Sequence, residues 1–334
     1  MPVEQILIHA GPDKTGSTTV QRFCKNYPER LEARGIVYPL AGDELNHRWL
    51  THRFLTAKSL LPALMTSSEA GRLGTQRDVL DAIESACARE GADTLLLSHE
   101  GLHTLSRDDL GALKRYLERF SERIGLLYYV RNPYDYAISA TSQRALTGRD
   151  PLSPDVPLLD HKAILSQYVQ VFGRERMRVR PYMPCVLGDF LAQLGIMLAG
   201  EAWKELPRVR ENTGLSSTGV WASWHLQRIL VDEGHPCPDF RAQFASKLRA
   251  IPGPPLSLTQ EQVEVIQENT ASSTAYLREA FDLDLDEAAP SIRDLPEPAG
   301  ALDLARGLYK EYAEMPEAGE NRAGLSAHDC RSRE

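Results

Sequence analysis

Residues 5–20 read QILIHAGPDKTGSTTV, and this stretch indicates the fold class. The apolar run from Gln5 to His9 has the length of a buried strand and ends just before Gly11. From Thr18 to Ala33 the apolar residues recur at helical spacing, so a helix is predicted there. A short loop of small and polar residues joins the two elements. A strand, a loop and a helix in this order begin a parallel βαβ unit.

Further strands and helices alternate along the chain. Strands are predicted at about 94–97, 124–130 and 177–182, and helices at about 45–61, 75–89, 108–121, 134–146, 161–172 and 185–194. Pro151, Pro154 and Pro157 predict a loop over 150–160. After residue 217 the patterns are mainly helical, notably over 258–281. This alternation predicts an α/β fold, a parallel β-sheet flanked by helices, with helical additions towards the C-terminus.

The domain organisation follows from where these patterns end. We expect a single α/β domain over 1–285 and a tail over 286–334. After Ala288 the chain is proline-rich, carries one amphipathic stretch at 302–312 and ends in polar residues. Such a composition predicts a tail that is partly helical or extended and partly disordered.

The overall charge restricts the class of partner. The 334 residues carry a formal net charge of −8, with 42% hydrophobic and 25% charged residues, as in an ordinary globular protein. No global basic field attracts a nucleic-acid backbone, so we expect no nucleic-acid partner. An anionic nucleotide stays possible, because a few aimed N–H groups and cations can hold a phosphate.

The cysteines and the chain start bear on the compartment. The five cysteines are far apart and form no CxxC pair or Cys/His metal spacing, which argues against a disulfide scaffold or a structural zinc. Met1 leads directly into the first apolar run without a signal-peptide pattern, and no apolar run has the length of a membrane span. We therefore expect a cytoplasmic protein with no membrane partner.

The first loop has the composition of an anion site. Gly11 and Gly16 have the separation found in the nucleotide-triphosphate loop G-x-x-x-x-G-K-[ST], but Ser17 stands where that motif has lysine. The lysine is instead Lys14, within K-T-G-S-T. Free N–H groups at the start of the following helix favour a bound anion.

A second motif follows the strand predicted at 124–130. Residues 131–139 read RNPYDYAIS, with Arg131 at the end of the strand and Ser139 about two turns into the next helix. An arginine presents a planar fork to phosphate oxygens, and a serine adds a directional hydroxyl. The alternative is that Arg131 pairs with a carboxylate while Asn132-Pro133 begins a helix.

These two motifs, in this order and each at a strand end, resemble the donor site of sulfotransferases that use 3′-phosphoadenosine 5′-phosphosulfate (PAPS), in particular bacterial soluble ones. The resemblance covers roughly residues 5–220. It implies the three-layer fold of that family, which is similar to P-loop NTPases, with PAPS as donor, its desulfated form PAP as product and no metal. It assigns Lys14 to the bridging oxygen whose bond to sulfur breaks, and Arg131 and Ser139 to the 3′-phosphate. The remaining donor contacts that it implies around the 5′-phosphosulfate are Thr15, Gly16, Ser17, Thr18 and Thr19.

A third stretch, Arg210 to Ser217, resembles the segment that closes over the nucleotide in bacterial relatives. Arg210, Asn212 and Ser216 are the candidate contacts. An ordinary capped helix start explains the same residues equally well.

The general base is left open by the sequence. An acceptor hydroxyl or amine must lose a proton as it attacks sulfur, so a His or Glu should lie within reach. Ser98-His99-Glu100 ends one predicted strand, and Glu44-Leu45-Asn46-His47 follows the first helix. Glu100 and His47 are the first candidates and His99 comes behind them, and each could instead only orient a loop or pack on a helix.

Two other functions stay open. The chain could be a P-loop kinase or NTPase, in which 95–97 and Glu100 form a degenerate Walker B motif, or a nucleotide-binding module without catalysis. Under the sulfotransferase hypothesis the acceptor is a small molecule or a carbohydrate, and no motif of the sequence identifies it. The oligomeric state is not encoded in any motif.

Overall fold

The computed structural model describes residues 3–41, 44–54, 76–147, 155–183, 185–196, 214–235, 237, 239–285 and 297–314. For 52, 53 and 76–80 it describes the backbone only.

Five parallel strands form one sheet. They are β1 (Gln5–His9), β2 (Ile36–Val37), β3 (Thr94–Ser98), β4 (Ile124–Val130) and β5 (Met177–Pro181). Their order in the sheet is β2-β3-β1-β4-β5, and every neighbouring pair is parallel. The predicted fold class, a parallel sheet flanked by helices, is confirmed. Since β1 lies between β3 and β4, the segments that follow these three strands leave the sheet side by side at its carboxyl edge.

Twelve α-helices lie in the described ranges, together with 3₁₀ turns at Glu100–Thr104, Ala145–Thr147 and Arg174–Arg176. The helices are α1 (Ser17–Asn26), α2 (Pro28–Glu32), α3 (Trp49–Phe54), α4 (Gln76–Cys87), α5 (Arg107–Leu117), α6 (Pro133–Arg144), α7 (His161–Phe172), α8 (Val186–Gln193), α9 (Ser217–Asp232), α10 (Phe240–Ala250), α11 (Gln260–Phe281) and α12 (Ala301–Ala313). None of them is both long and apolar enough to cross a membrane.

The side chains of β1 alternate between two cores, which makes the sheet the middle of three layers. Leu7 packs with Val20 and Phe23 of α1 and with Phe190 of α8. Ile6 and Ile8 point to the other face, where α3, α4, α5 and α7 supply the partners. Successive residues of a strand face opposite sides of the sheet, so these apolar residues cover both faces of β1. A sheet with helices on both sides requires such a strand.

The first predicted helix differs from the observed one. It is divided into α1 and α2 at Tyr27, whose φ of −132° is not helical, and Pro28 occupies the first turn of α2. Proline lacks an N–H and disfavours a helical conformation in the residue before it, so a continuous helix over 18–33 is broken there. The two-residue strand β2 was not predicted, because two residues carry no periodicity.

Contacts between Cα atoms divide the described chain into two compact units. The first comprises the described residues within 1–132, 160–211 and 271–286 and contains the whole sheet. The second comprises the described residues within 133–159, 212–270 and 287–334. In the second unit α9 packs against α12, and its cores are centred on Val220, Leu226, Phe244 and Leu248, and on Tyr134 and Ile266. Parts of the predicted helix at 45–61 and loop at 150–160 lie outside the described residues.

Candidate functional site

The loop between β1 and α1 turns through two left-handed residues. Lys14 has φ 65° and Gly16 has φ 76°. For a residue with a side chain this conformation costs about 1–2 kcal/mol, so its occurrence at Lys14 needs support from the surroundings. Part of that support is a hydrogen bond that Arg131 Nη1 donates to the Lys14 carbonyl at 2.8 Å.

Both glycines of the loop are closely packed. A Cβ on Gly16 would lie 2.6 Å from Val186 Cγ1, and a Cβ on Gly11 would lie 3.1 Å from the backbone nitrogen of Tyr129. A side chain at position 16 would thus clash and would be strained by the left-handed φ, whereas one at position 11 would need its neighbour to shift by a few tenths of an ångström. The spacing of the glycines in the sequence thus reflects contacts with β4 and α8.

The start of α1 presents N–H groups that no side chain caps. Gly16 is the N-cap residue and makes no side-chain hydrogen bond. Its carbonyl accepts from the N–H groups of Thr19 and Val20, whereas the N–H groups of Ser17 and Thr18 belong to the first turn and have no partner within the helix. Together with the helix dipole, this end of α1 suits an anion.

The hydroxyls of the loop divide into two groups. Thr15 is fully buried, and its Oγ1 donates to the Pro12 carbonyl at 2.6 Å. Ser17 is also buried, and its Oγ lies 3.5 Å from the same carbonyl. Thr18 and Thr19 are half-buried. The hydroxyls of Thr15 and Ser17 therefore stabilise the loop from inside.

Arg131 directly follows β4 and is half-buried. Its guanidinium carbon lies 5.0 Å from the centre of the Tyr182 ring, a cation–π distance. Its Nε is buried and has no hydrogen-bond partner among the described residues. The guanidinium is thus held by an aromatic face and by the Lys14 carbonyl.

Glu100 lies on the other side of the loop, two residues beyond the end of β3. Gln21 of α1 donates from Nε2 to Glu100 Oε2 at 2.7 Å, and Asn46 Nδ2 lies 3.5 Å from Glu100 Oε1. The Glu100 side chain is only partly buried. The carboxylate is therefore fixed mainly through one oxygen.

His47 is fully buried and bonded to backbone at both ring nitrogens. Ser98 N–H donates to Nδ1 at 2.9 Å, and Nε2 lies 2.6 Å from the Pro39 carbonyl, to which it donates. Burial lowers the pKa of His47 to about 4, although the bonds to Pro39 and Ser98 act in the opposite direction. The lone pair of the neutral ring is thus already used to hold the end of β3.

His99 is buried and continues the backbone ladder at the end of β3, where its N–H donates to the His9 carbonyl at 3.1 Å. Its ring lies against Gly101, since a Cβ on Gly101 would come within 2.5 Å of His99 Nε2. The ring packs closely on the turn that carries Glu100.

Four residues of this region were not among the predicted site residues, namely His9, Gln21, Ser98 and Tyr182. His9 Nδ1 lies 2.9 Å from Ser98 Oγ, and Gln21 Nε2 lies 3.2 Å from the same oxygen. One signal was available for Gln21, a polar residue next to Val20 on the buried face of an amphipathic helix. The others become visible only through contacts distant in sequence.

The remaining predicted contacts lie in the second unit or outside the described residues. Ser139 lies on α6 and is half-buried. Ser216 caps α9, because its Oγ accepts from the Gly219 N–H at 3.0 Å and donates to the Ile251 carbonyl at 2.8 Å. The hydroxyl thus serves the capped helix start that the sequence also allowed. Arg210 and Asn212 lie outside the described residues.

In the described ranges no group of three or more His, Cys, Asp and Glu side chains is arranged to hold a metal ion.

Comparison with known proteins gives little further information. No family model matches the chain, and no curated protein matches it. Among solved structures, the sulfotransferase from Alicyclobacillus acidocaldarius is similar at 14% sequence identity and a TM-score of 0.43, over 84% of this chain and 96% of that chain.

Proposed function

We propose that the chain is a sulfotransferase that moves a sulfuryl group from PAPS to a hydroxyl or amine of a small-molecule or carbohydrate acceptor. One observation carries the proposal. The Lys14 loop leaves the middle one of three adjacent strands, with Glu100 and Arg131 after the strands on either side. Arg131 is bonded to the loop itself, and Glu100 is bonded to the helix that the loop begins.

The loop fits a donor that carries one phosphate and one sulfate. Uncapped N–H groups at Ser17 and Thr18 suit anionic oxygens, and the left-handed residues give the loop its tight turn. Since the hydroxyls of Thr15 and Ser17 are turned inward, we assign to these residues backbone N–H contacts, and hydroxyl contacts to Thr18 and Thr19. Because Gly16 has no side chain, it allows the donor to approach the backbone of the loop closely.

The chemistry assigned to the side chains is a single in-line displacement. When bound, PAPS supplies an electrophilic sulfur and a leaving group, PAP. Lys14 neutralises the charge that develops on the bridging oxygen as its bond to sulfur breaks. Glu100 accepts the proton of the acceptor hydroxyl or amine as the new bond to sulfur forms. PAP leaves with the electron pair of the broken bond.

Glu100 is the general base that the contacts support among the three candidates. His47 has both ring nitrogens bonded to backbone groups, so its lone pair is already used and does not reach an acceptor proton. His99 is buried against Gly101. The carboxylate of Glu100 is partly exposed and lies next to α1. We therefore assign His47 and His99 to holding the end of β3.

Arg131 is assigned to the 3′-phosphate, with Ser139 as a second contact as the sequence motif suggests. The Nε without a hydrogen-bond partner among the described residues supports the binding of an anion by this guanidinium. Any contribution of Arg210 or Asn212 remains part of this proposal on sequence grounds alone.

The test is transfer of label from ³⁵S-PAPS to a panel of phenols, sugars, aliphatic alcohols and amines, with water as the fallback acceptor. We expect labelled product and PAP, both with and without Mg²⁺. Lys14→Ala should lower kcat by about 10²-fold or more while the Kd for PAP changes by less than about 3-fold. Arg131→Lys should raise the Kd for PAP about 10-fold or more, because an ammonium cannot reproduce the fork.

Lys247→Ala is the matched control, since Lys247 pairs with Glu311 on the exposed surface of α10 and α12. Mg²⁺-dependent hydrolysis of ATP without PAP binding would instead support an NTPase. PAP binding without transfer to any acceptor or to water would support a module that binds nucleotide without catalysis. Either result would overturn the proposal.

A further inference from the structure

Gln21 is a buried polar residue of α1, the helix that follows the Lys14 loop, and its side chain contacts Glu100, the proposed base. It lies one turn after Ser17 on α1 and is 1% exposed. Its Nε2 lies 2.7 Å from Glu100 Oε2 and 3.2 Å from Ser98 Oγ. A buried amide needs acceptors for both of its hydrogens, and these two oxygens provide them.

The contacts leave the two carboxylate oxygens of Glu100 in different environments. Oε2 accepts the short bond from Gln21, whereas Oε1 has Asn46 Nδ2 at 3.5 Å, the limit of a hydrogen bond. Ser98 Oγ, the second acceptor of Gln21, is itself held 2.9 Å from His9 Nδ1. The amide is therefore fixed from the end of β1 and β3 and in turn fixes one oxygen of Glu100.

We infer that Gln21 is a positioning residue that directs Glu100 Oε1 towards the acceptor, so that α1 both begins the donor site and orients the base. This inference rests on the proposed function. In the transfer step the acceptor proton goes to Oε1, while the amide keeps its own hydrogens and its bond to Oε2. An amide suits this position because it does not titrate and cannot compete for that proton.

The groups around Glu100 determine how the dependence of kcat on pH is interpreted. His9 and Tyr38 interact electrostatically with Glu100, Gln21 and Asn46 contact its carboxylate, and His103 Nδ1 lies 2.7 Å from its backbone carbonyl. None of these side chains is a carboxylate. A second carboxylate placed at residue 21 would therefore be a new kind of neighbour.

The experiment compares Gln21→Leu and Gln21→Glu with the wild-type protein in the ³⁵S-PAPS assay. Gln21→Leu should lower kcat about 10-fold or more, with the Kd for PAP within about 3-fold of wild type. In the isosteric Gln21→Glu variant two carboxylates in contact share a proton. The acid limb of its kcat–pH profile should therefore move to higher pH by about one unit or more.

Gln170→Leu makes the same chemical change at an exposed position of α7 and should leave kcat unchanged. PAP binding and the thermal unfolding of each variant report on folding. If Gln21→Leu does not fold, the isosteric Gln21→Glu variant carries the test through its pH profile. A Gln21→Leu variant with wild-type kcat, or a Gln21→Glu variant with an unmoved acid limb, would overturn the inference.

The ³⁵S-PAPS assay distinguishes a failure of this inference from a failure of the proposed function. If the wild-type protein binds no PAP and transfers label to no acceptor, the proposed function fails, and the inference fails with it. If the wild-type protein transfers label and the two Gln21 variants behave like it, only the positioning role of Gln21 is refuted.

Discussion

Acidification from pH 7.5 to 5.5 should strongly destabilise the unit that contains the sheet, because burial lowers the pKa of three of its histidines. Burial lowers the pKa of His9, His47 and His161 from 6.5 to about 4. Glu100 and Asp160 act in the opposite direction on His9 and His161, respectively, but do not outweigh burial. The unfolded chain therefore binds more protons than the folded one between these two pKa values, so stability is present above pH 6.5 and lost as the pH falls towards 4.

The size of the effect follows from these values. Each histidine contributes roughly 1–2 kcal/mol of lost stability between pH 7.5 and 5.5, and the three together about 4 kcal/mol. At pH 5 the sum is about 6 kcal/mol, comparable with the whole stability of many domains, about 5–15 kcal/mol. The free energy of unfolding should therefore fall steeply as the pH is lowered from 7.5 to 5.

Urea denaturation followed by tryptophan fluorescence and far-UV circular dichroism at pH 7.5, 6.5, 5.5 and 5.0 measures this loss. In the His161→Gln variant one protonation step is removed, so the loss between pH 7.5 and 5.5 should shrink by about one third. The exposed change Gln170→Leu serves as control. A loss below about 1 kcal/mol in the wild-type protein over this range would refute the reasoning.

Two predictions concern the backbone of the donor loop. In urea denaturation, Lys14→Gly should be more stable than Lys14→Ala by about 0.5–1 kcal/mol. Glycine adopts the left-handed φ of 65° without strain, whereas alanine does not. The greater conformational entropy of glycine in the unfolded chain offsets only part of this advantage. Equal stability, or a less stable glycine variant, would contradict the strain assigned to this position. Gly16→Ala should destabilise the protein by about 1–3 kcal/mol and weaken PAP binding, since φ is 76° and the new Cβ would lie 2.6 Å from Val186 Cγ1. A change below about 0.5 kcal/mol would show that α8 yields to the added methyl.

Much of the fold was predictable because its signals are local. The apolar runs at 5–9, 94–98 and 124–130 are strands at nearly the predicted bounds, and helix α7 has the predicted ones. The break at Pro28 could have been anticipated from the steric effect of proline on the preceding residue. The pair of strand residues Ile36 and Val37 could not, since β2 is recognisable only through its pairing with β3.

The candidate site was predictable only in part. Lys14, Gly16 and Arg131 could be proposed because their spacing from strand ends is a property of the sequence. The sequence placed His99 behind the other two candidates but did not separate Glu100 from His47, because the difference lies in which partners each ring or carboxylate meets. His47 is bonded to Pro39 and Ser98, while Gln21 meets Glu100 from another element.

The sequence by itself determined the strand, loop and helix that begin the chain and the position of Lys14 within that loop, since these depend on neighbouring residues. Tertiary structure alone decided that Glu100 and Arg131 lie on either side of it, because residues 5–9 pair with both 94–98 and 124–130. Those pairings bring together side chains about a hundred positions apart, and burial between two apolar layers fixes their register. The pairing of 5–9 with 94–98 also places Gln21 against Glu100, and the folded chain brings the ring of His47 to Pro39 and Ser98.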